Sequence, residues 1–172
     1  KSTNKSNVNP VIPKLNINFS QSDSRALKRL ILLAKKNAKD NGSQVISNMP
    51  NGKIKGNILV NEEKISEVEI GLSGRTIQHF SNGFPSTDIK MLGGNTFRGL
   101  SSFKLYQLST KSGLKDFIFL SILKDLGYII PRQEIIDLVI NGDSKGIFLL
   151  MENFNESTFT KHHKMDGNVI GL

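Results

Sequence analysis

The stretch from Glu134 to Met151 constrains the fold of this chain more tightly than any other part of it. Two apolar, β-rich segments, Glu134 to Ile140 and Gly146 to Met151, flank the sequence Asn141-Gly142-Asp143-Ser144. Asn-Gly between two such runs reads as a tight hairpin turn, because both residue types accept the positive φ angles that a two-residue connection needs. The two segments are therefore expected to be antiparallel neighbours. The returning strand ends in Glu152 directly after an apolar run. Its backbone is expected near the core, while its carboxylate needs a cation or water. A carboxylate simply emerging at a strand end fits the same residues, and composition alone assigns it no role.

Period-two patterns recur upstream. Leu15, Ile17 and Phe19 alternate with polar residues as a short strand. From Lys53 to Gly71, Ile54, Ile58 and Val60 share a face, and Val68, Ile70 and Leu72 share one after a turn around Asn61-Glu62-Glu63, which predicts an antiparallel hairpin. Shorter strands are expected at Asp88 to Leu92 and Phe103 to Leu108, separated by Gly93-Gly94-Asn95. Two segments switch to helical spacing. Leu27, Leu30, Ile31, Ala34 and Ala38 recur at three- and four-residue intervals after the candidate N-caps between Ser20 and Ser24, with Asn41-Gly42 as a stop. Lys115 to Leu126 carries Ile118, Phe119, Ile122, Leu123 and Leu126, is apolar on more than half its girth and ends at Gly127, which predicts a buried helix. Strands and helices are segregated along the chain, not strictly alternating. The expected class is therefore α+β, a mainly antiparallel sheet with two principal helices.

Residues 1 to 13, rich in Asn, Ser, Lys and Pro, read as a linker or tail, and residues 14 to 172 as one domain. Val169-Ile170-Gly171-Leu172 resembles the start of a strand after the turn-like Asp166-Gly167-Asn168, so this domain is expected to be partial, truncated at its carboxyl end. No run of apolar residues is long enough for a membrane span.

The net charge of +8 invites a nucleic-acid reading, but its distribution argues against one. Residues 1 to 42 carry a net +7, with Asp23 and Asp40 as the only acids, leaving +1 for the remaining 130. Most of the excess lies on the first helix as Arg25, Lys28, Arg29, Lys35, Lys36 and Lys39, with no aromatic residues among them to stack bases. A solvated helix face accounts for it. The absence of cysteine excludes disulfides and thiolate zinc sites. There is no Walker-type phosphate loop, nucleophile elbow, HExxH or EF-hand. His162 and His163, adjacent in sequence, point about 100° apart on a helix and make a poor metal pair. Gly71, Gly74, Gly93 and Gly94 fit turns and form no phosphate loop.

The hairpin from Asn141 to Glu152 is similar to the N-G-x-x-x-G-[IVL]-[YF]-x-L-x-E motif of the CotH (spore coat protein H) kinase-like family, with Phe148 where tyrosine is commoner and Glu152 on the motif's glutamate. Leu114-Lys115-Asp116 through Leu126-Gly127 to Pro131-Arg132 resembles the helix that precedes it in that family, with Lys115 and Asp116 in place of Arg-Asn. Val68 to Arg75 resembles the family's V-x-[IV]-R-x-[KR]-G strand, with Gly71 replacing the arginine, and Asp88-Ile89-Lys90-Met91 falls on its [FY]-R-[IV]-K strand. The likeness spans residues 14 to 172 and is strongest over 114 to 154. It implies the nucleotide-binding part of a reduced protein-kinase-like fold. It also implies ATP and Mg²⁺ as cofactors and transfer of the γ-phosphate to a protein serine or threonine. By the same resemblance Lys90 is the candidate phosphate-contacting lysine and Glu152 the candidate active-site carboxylate, with metal ligands expected beyond Leu172. Partners are then a nucleotide and a protein substrate, and an extracytoplasmic or cell-surface setting is implied. The alternative is a non-catalytic CotH-like structural or cell-surface interaction module, since a shared fold does not establish chemistry.

Overall fold

A computed structural model describes residues 12 to 153, apart from 41, 43, 61, 81, 82, 112 and 113. Seven strands are found: β1 (Lys14–Asn18), β2 (Lys53–Val60), β3 (Glu63–Leu72), β4 (Thr87–Met91), β5 (Ser102–Gln107), β6 (Gln133–Ile140) and β7 (Asp143–Glu152). Helix α1 (Gln21–Asp40) follows β1, and helix α2 (Lys115–Asp125) precedes β6. The strands close into a barrel in the order β1-β2-β3-β4-β5-β7-β6, with β6 returning to β1.

This closure overturns the expected architecture. The fold is not an α+β open sheet resembling the nucleotide-binding part of a kinase-like domain. It is a closed, mixed seven-stranded barrel with two helices outside it. The reason lies in β1, which pairs on both edges. It runs antiparallel to β2, setting Ile17 opposite Ile58, and parallel to β6, setting Leu15 opposite Leu138 and Ile17 opposite Ile140. All other neighbours are antiparallel. Closure leaves no sheet edge unpaired, which removes the usual hazard of an exposed strand.

Alternation along each strand fills the barrel. Leu15, Ile17, Ile58, Ile89, Phe103, Leu105, Ile136 and Leu138 are fully shielded from solvent inside it. On β2 the expected shared face fails at Val60. The register with β3 shifts between Ile58 and Leu59, where Ile65 is the extra residue on β3, and Val60 at the end of β2 is exposed.

The β6–β7 connection is the two-residue turn anticipated at Asn141-Gly142, with φ of 51° and 84°. Asn141 also reaches across the closing seam. Its Oδ1 accepts the Phe19 N–H at 2.7 Å and its own N–H donates to the Ile17 carbonyl at 3.0 Å. Beside it Phe19 stacks on Phe84, whose edge meets Phe148.

Ser20 caps α1, its Oγ accepting the Asp23 N–H at 3.0 Å. The helix lays Leu27 against the barrel, and its small residues Ala34 and Ala38 allow close packing on Ile46 and Phe80. Five of its six basic residues are exposed and Lys35 is half-buried, as a solvated face requires. Helix α2 corrects a second expectation. It forms over the anticipated span and ends in a Schellman motif with Gly127 at φ 87°, the Tyr128 N–H donating to Leu123 O at 3.0 Å and the Gly127 N–H to Lys124 O at 2.9 Å. Yet none of its residues is buried. It is tied to the barrel by Gln133, whose Nε2 donates to Phe117 O at 2.8 Å. Residues 1 to 11 of the tail expected over 1 to 13, together with His162, His163 and the strand expected near Leu172, lie outside the described residues.

Candidate functional site

On β4, Ile89 and Met91 face the core, so Asp88 and Lys90 face outward by alternation. Register then decides the neighbours of Lys90, with Glu69 of β3 directly opposite on one side and Ser102 of β5 on the other. Lys90 is exposed, in a groove of about 490 Å³ that also includes Lys53, Glu69, Asp88, Ser102 and Asn153 and is walled by Met49 to Gly52. Lys53 forms an ion pair with Glu69. The hydrogen bond to Glu69 and its charge, with a smaller contribution from Asp88, hold the Lys53 amine above its ordinary value. Asn153 Nδ2 donates to Asp88 Oδ1 at 2.8 Å, anchoring the end of β7 to this face. Gly71, paired with Asp88, leaves the groove open: a Cβ there would meet nothing closer than the Gly52 carbonyl oxygen at 3.9 Å.

Glu152 lies elsewhere. It shares the inward parity of Phe148 and Leu150 and stands opposite Phe103, where β7 leaves the barrel. Its Oε2 accepts the Arg132 N–H at 3.2 Å, and its N–H donates to Arg132 O at 2.8 Å. The Arg132 guanidinium pairs with Glu134 and donates to Arg98 O at 2.6 Å, while Arg98 Nε stands 2.8 Å from Glu134 Oε2. Arg98, at φ 52°, belongs to a tight turn in which Phe97 and Leu100 exchange hydrogen bonds at 2.9 Å and close this end of the barrel. A second cavity, of about 630 Å³, opens here between the barrel end and α2, with Glu152, Arg132, Gln133, Phe117, Lys124 and Tyr128 in its wall.

The two residues singled out by resemblance are thus not brought together. Lys90 faces the outer groove and Glu152 the barrel end, and neither cavity includes both. Lys53, Glu69, Asp88 and Asn153 were missed, as was the Arg98–Glu134–Arg132 network. The signal for the first group was available in part. Lys53, Lys55, Glu67 and Glu69 occupy alternate positions of one hairpin, and their pairing follows once its register is known. Asn153 carries no such pattern.

The groove offers two ammonium groups, two carboxylates and three neutral hydrogen-bonding side chains, Asn51, Ser102 and Asn153. Such a set suits a polar ligand carrying both anionic and cation-associated parts. Among the described residues no cluster of three or more His, Asp or Glu side chains is placed to hold a metal ion. Nor is any helix there long and apolar enough to cross a membrane. No protein-family model matches the chain, and no curated protein sequence matches it.

Proposed function

We propose that the chain binds a nucleotide in the groove around Lys90, as part of a CotH-type phosphotransferase that passes the ATP γ-phosphate to a protein serine or threonine hydroxyl. The observation that supports this reading is the placement of Lys90. It is an exposed lysine in an open groove, opposite a carboxylate, with a second lysine beside it. Phosphoryl transfer needs cations against the phosphates and an acid that fixes a lysine, and Glu69 stands where it can serve both lysines. Glu69 and Asp88 bring the groove close to neutral, so it suits a nucleotide accompanied by magnesium better than a bare polyanion. Glu69 and Asp88 would hold the magnesium, which would supply positive charge for the phosphates. Glu152, facing the barrel end and accepting the Arg132 N–H, is not among the groove residues on which this reading rests. The test is calorimetric titration of the folded chain with Mg²⁺-ATP. Binding weakened about tenfold or more by Lys90→Ala, and left unchanged by Lys36→Ala on α1, supports the reading. A wild-type chain that takes up no nucleotide overturns it.

A second reading, a non-catalytic interaction module, is favoured by a different observation, the uncovered apolar face of α2. Absence of nucleotide binding together with association through that face would select it.

A further inference from the structure

Of the two α-helices among the described residues, α2 is the more apolar and the less covered. Leu114 at its start, Ile118, Phe119, Ile122, and Leu126 at its end are between 44% and 69% exposed. At 100° per residue these side chains fall on one face about 140° wide. A contiguous apolar face of this kind marks an interaction surface. Two charged residues share the same face, Lys115 at its first turn and Asp125 at its last, both exposed. This arrangement is self-complementary. When two such helices lie antiparallel about a point level with Leu120, Lys115 of each lies level with Asp125 of the other across the seam, Ile118 with Ile122, and Leu114 with Leu126. Parallel alignment would instead set Lys115 against Lys115 and Asp125 against Asp125.

We propose that this face pairs with the same face of a second copy of the chain, the two α2 helices antiparallel across a two-fold axis. A two-fold interface repeats each contact, so the Lys115–Asp125 pair forms twice and fixes the direction of the helices, while the apolar residues between them supply the affinity. Eleven residues span about 16 Å. A contact of this length is at the small end of specific interfaces and gives a dimer dissociating at micromolar concentrations, on the order of 10 to 100 μM. The pairing does not depend on what the groove at Lys90 binds.

Sedimentation of the chain between about 1 μM and about 500 μM tests the proposal. The wild type is expected to pass from monomer to dimer across that range. Ile122→Ser is expected to raise the dissociation constant about tenfold or more. Lys115→Asp sets two like-charged contacts in the dimer, as does Asp125→Lys, and each alone is expected to weaken association about fivefold to tenfold. Mixing these two variants in equal amounts, or combining both substitutions in one chain, restores opposite charges at both contacts and is expected to restore dimerisation. All these positions are exposed, and unchanged circular dichroism and thermal midpoint would show that the variants remain folded. A wild type that stays monomeric throughout overturns the proposal, and so does association that the single charge reversals leave unaltered.

Discussion

Substituting Asn141 tests how the barrel closes. The residue does two things. It holds φ at 51° in the β6–β7 turn, and its Oδ1 accepts the Phe19 N–H where β1 gives way to α1. Alanine removes both. The half-buried Phe19 N–H left without its acceptor costs about 1–2 kcal/mol, and holding an alanine in the left-handed region costs about 1 kcal/mol more, for a loss of about 2–3 kcal/mol. Glycine accepts the backbone conformation and loses the hydrogen bond alone, so it should fall about 1 kcal/mol short of the alanine penalty. Aspartate keeps an acceptor oxygen and tolerates positive φ, and should stay within about 0.5 kcal/mol of wild type. In urea denaturation followed by far-UV circular dichroism, the alanine variant's midpoint should drop by about 1–2 M at an unchanged slope. The order expected is aspartate, glycine, alanine, from least to most destabilised. An alanine variant as stable as the aspartate variant would refute the claim that this side chain secures the seam.

Two further substitutions address the barrel and the groove. Ile17→Ala empties a fully buried position between Ile58 and Ile140 and should cost about 2–5 kcal/mol in the same assay, whereas an unchanged midpoint would place β1 outside the core. The Lys53 amine is held above its ordinary value near 10.5 by Glu69, so the pair's contribution to stability is complete below that pH and is lost as pH rises through the raised folded value. An NMR titration of the Lys53 side chain should show its midpoint moving back toward 10.5 in Glu69→Gln, and a midpoint unaffected by the substitution would remove Glu69 as the cause.

Features set by near neighbours in the chain are legible in the sequence alone. The Asn141-Gly142 turn, the cap at Ser20, the end of α2 at Gly127 and the inward alternation of Ile54, Val68, Ile70 and Ile89 each follow from a few consecutive residues. Closure was not legible. It depends on Lys14–Ile17 lying parallel to Asp137–Ile140, a pairing across more than a hundred residues to which no local period points. The same limit explains the misplacement of α2. Apolar residues on most of a helix normally signal burial, and nothing in Lys115–Asp125 distinguishes a face that meets the barrel from one left for another surface.

The motif that suggested a family has a structural explanation at all but one of its positions, and this changes what it can support. Asn141 and Gly142 make the turn, Gly146 sits at a bulge where the β6–β7 register shifts, Phe148 and Leu150 fill the barrel, and Glu152 holds the Arg132 N–H. Every position of the pattern except Ile147, which is exposed, is therefore accounted for by closing a barrel, with no ligand required. Chemistry at Glu152 does not follow from the motif, because a carboxylate accepting a backbone N–H at a strand end is a sufficient role. The case for nucleotide binding accordingly rests on the groove, where Lys90, Lys53, Glu69 and Asp88 are brought together by register and not by any sequence pattern. Since the two sets of residues face opposite sides of the barrel wall, variants can separate them. Loss of nucleotide binding in Lys90→Ala with full retention in Glu152→Gln would assign the chemistry to the groove and the motif to the fold.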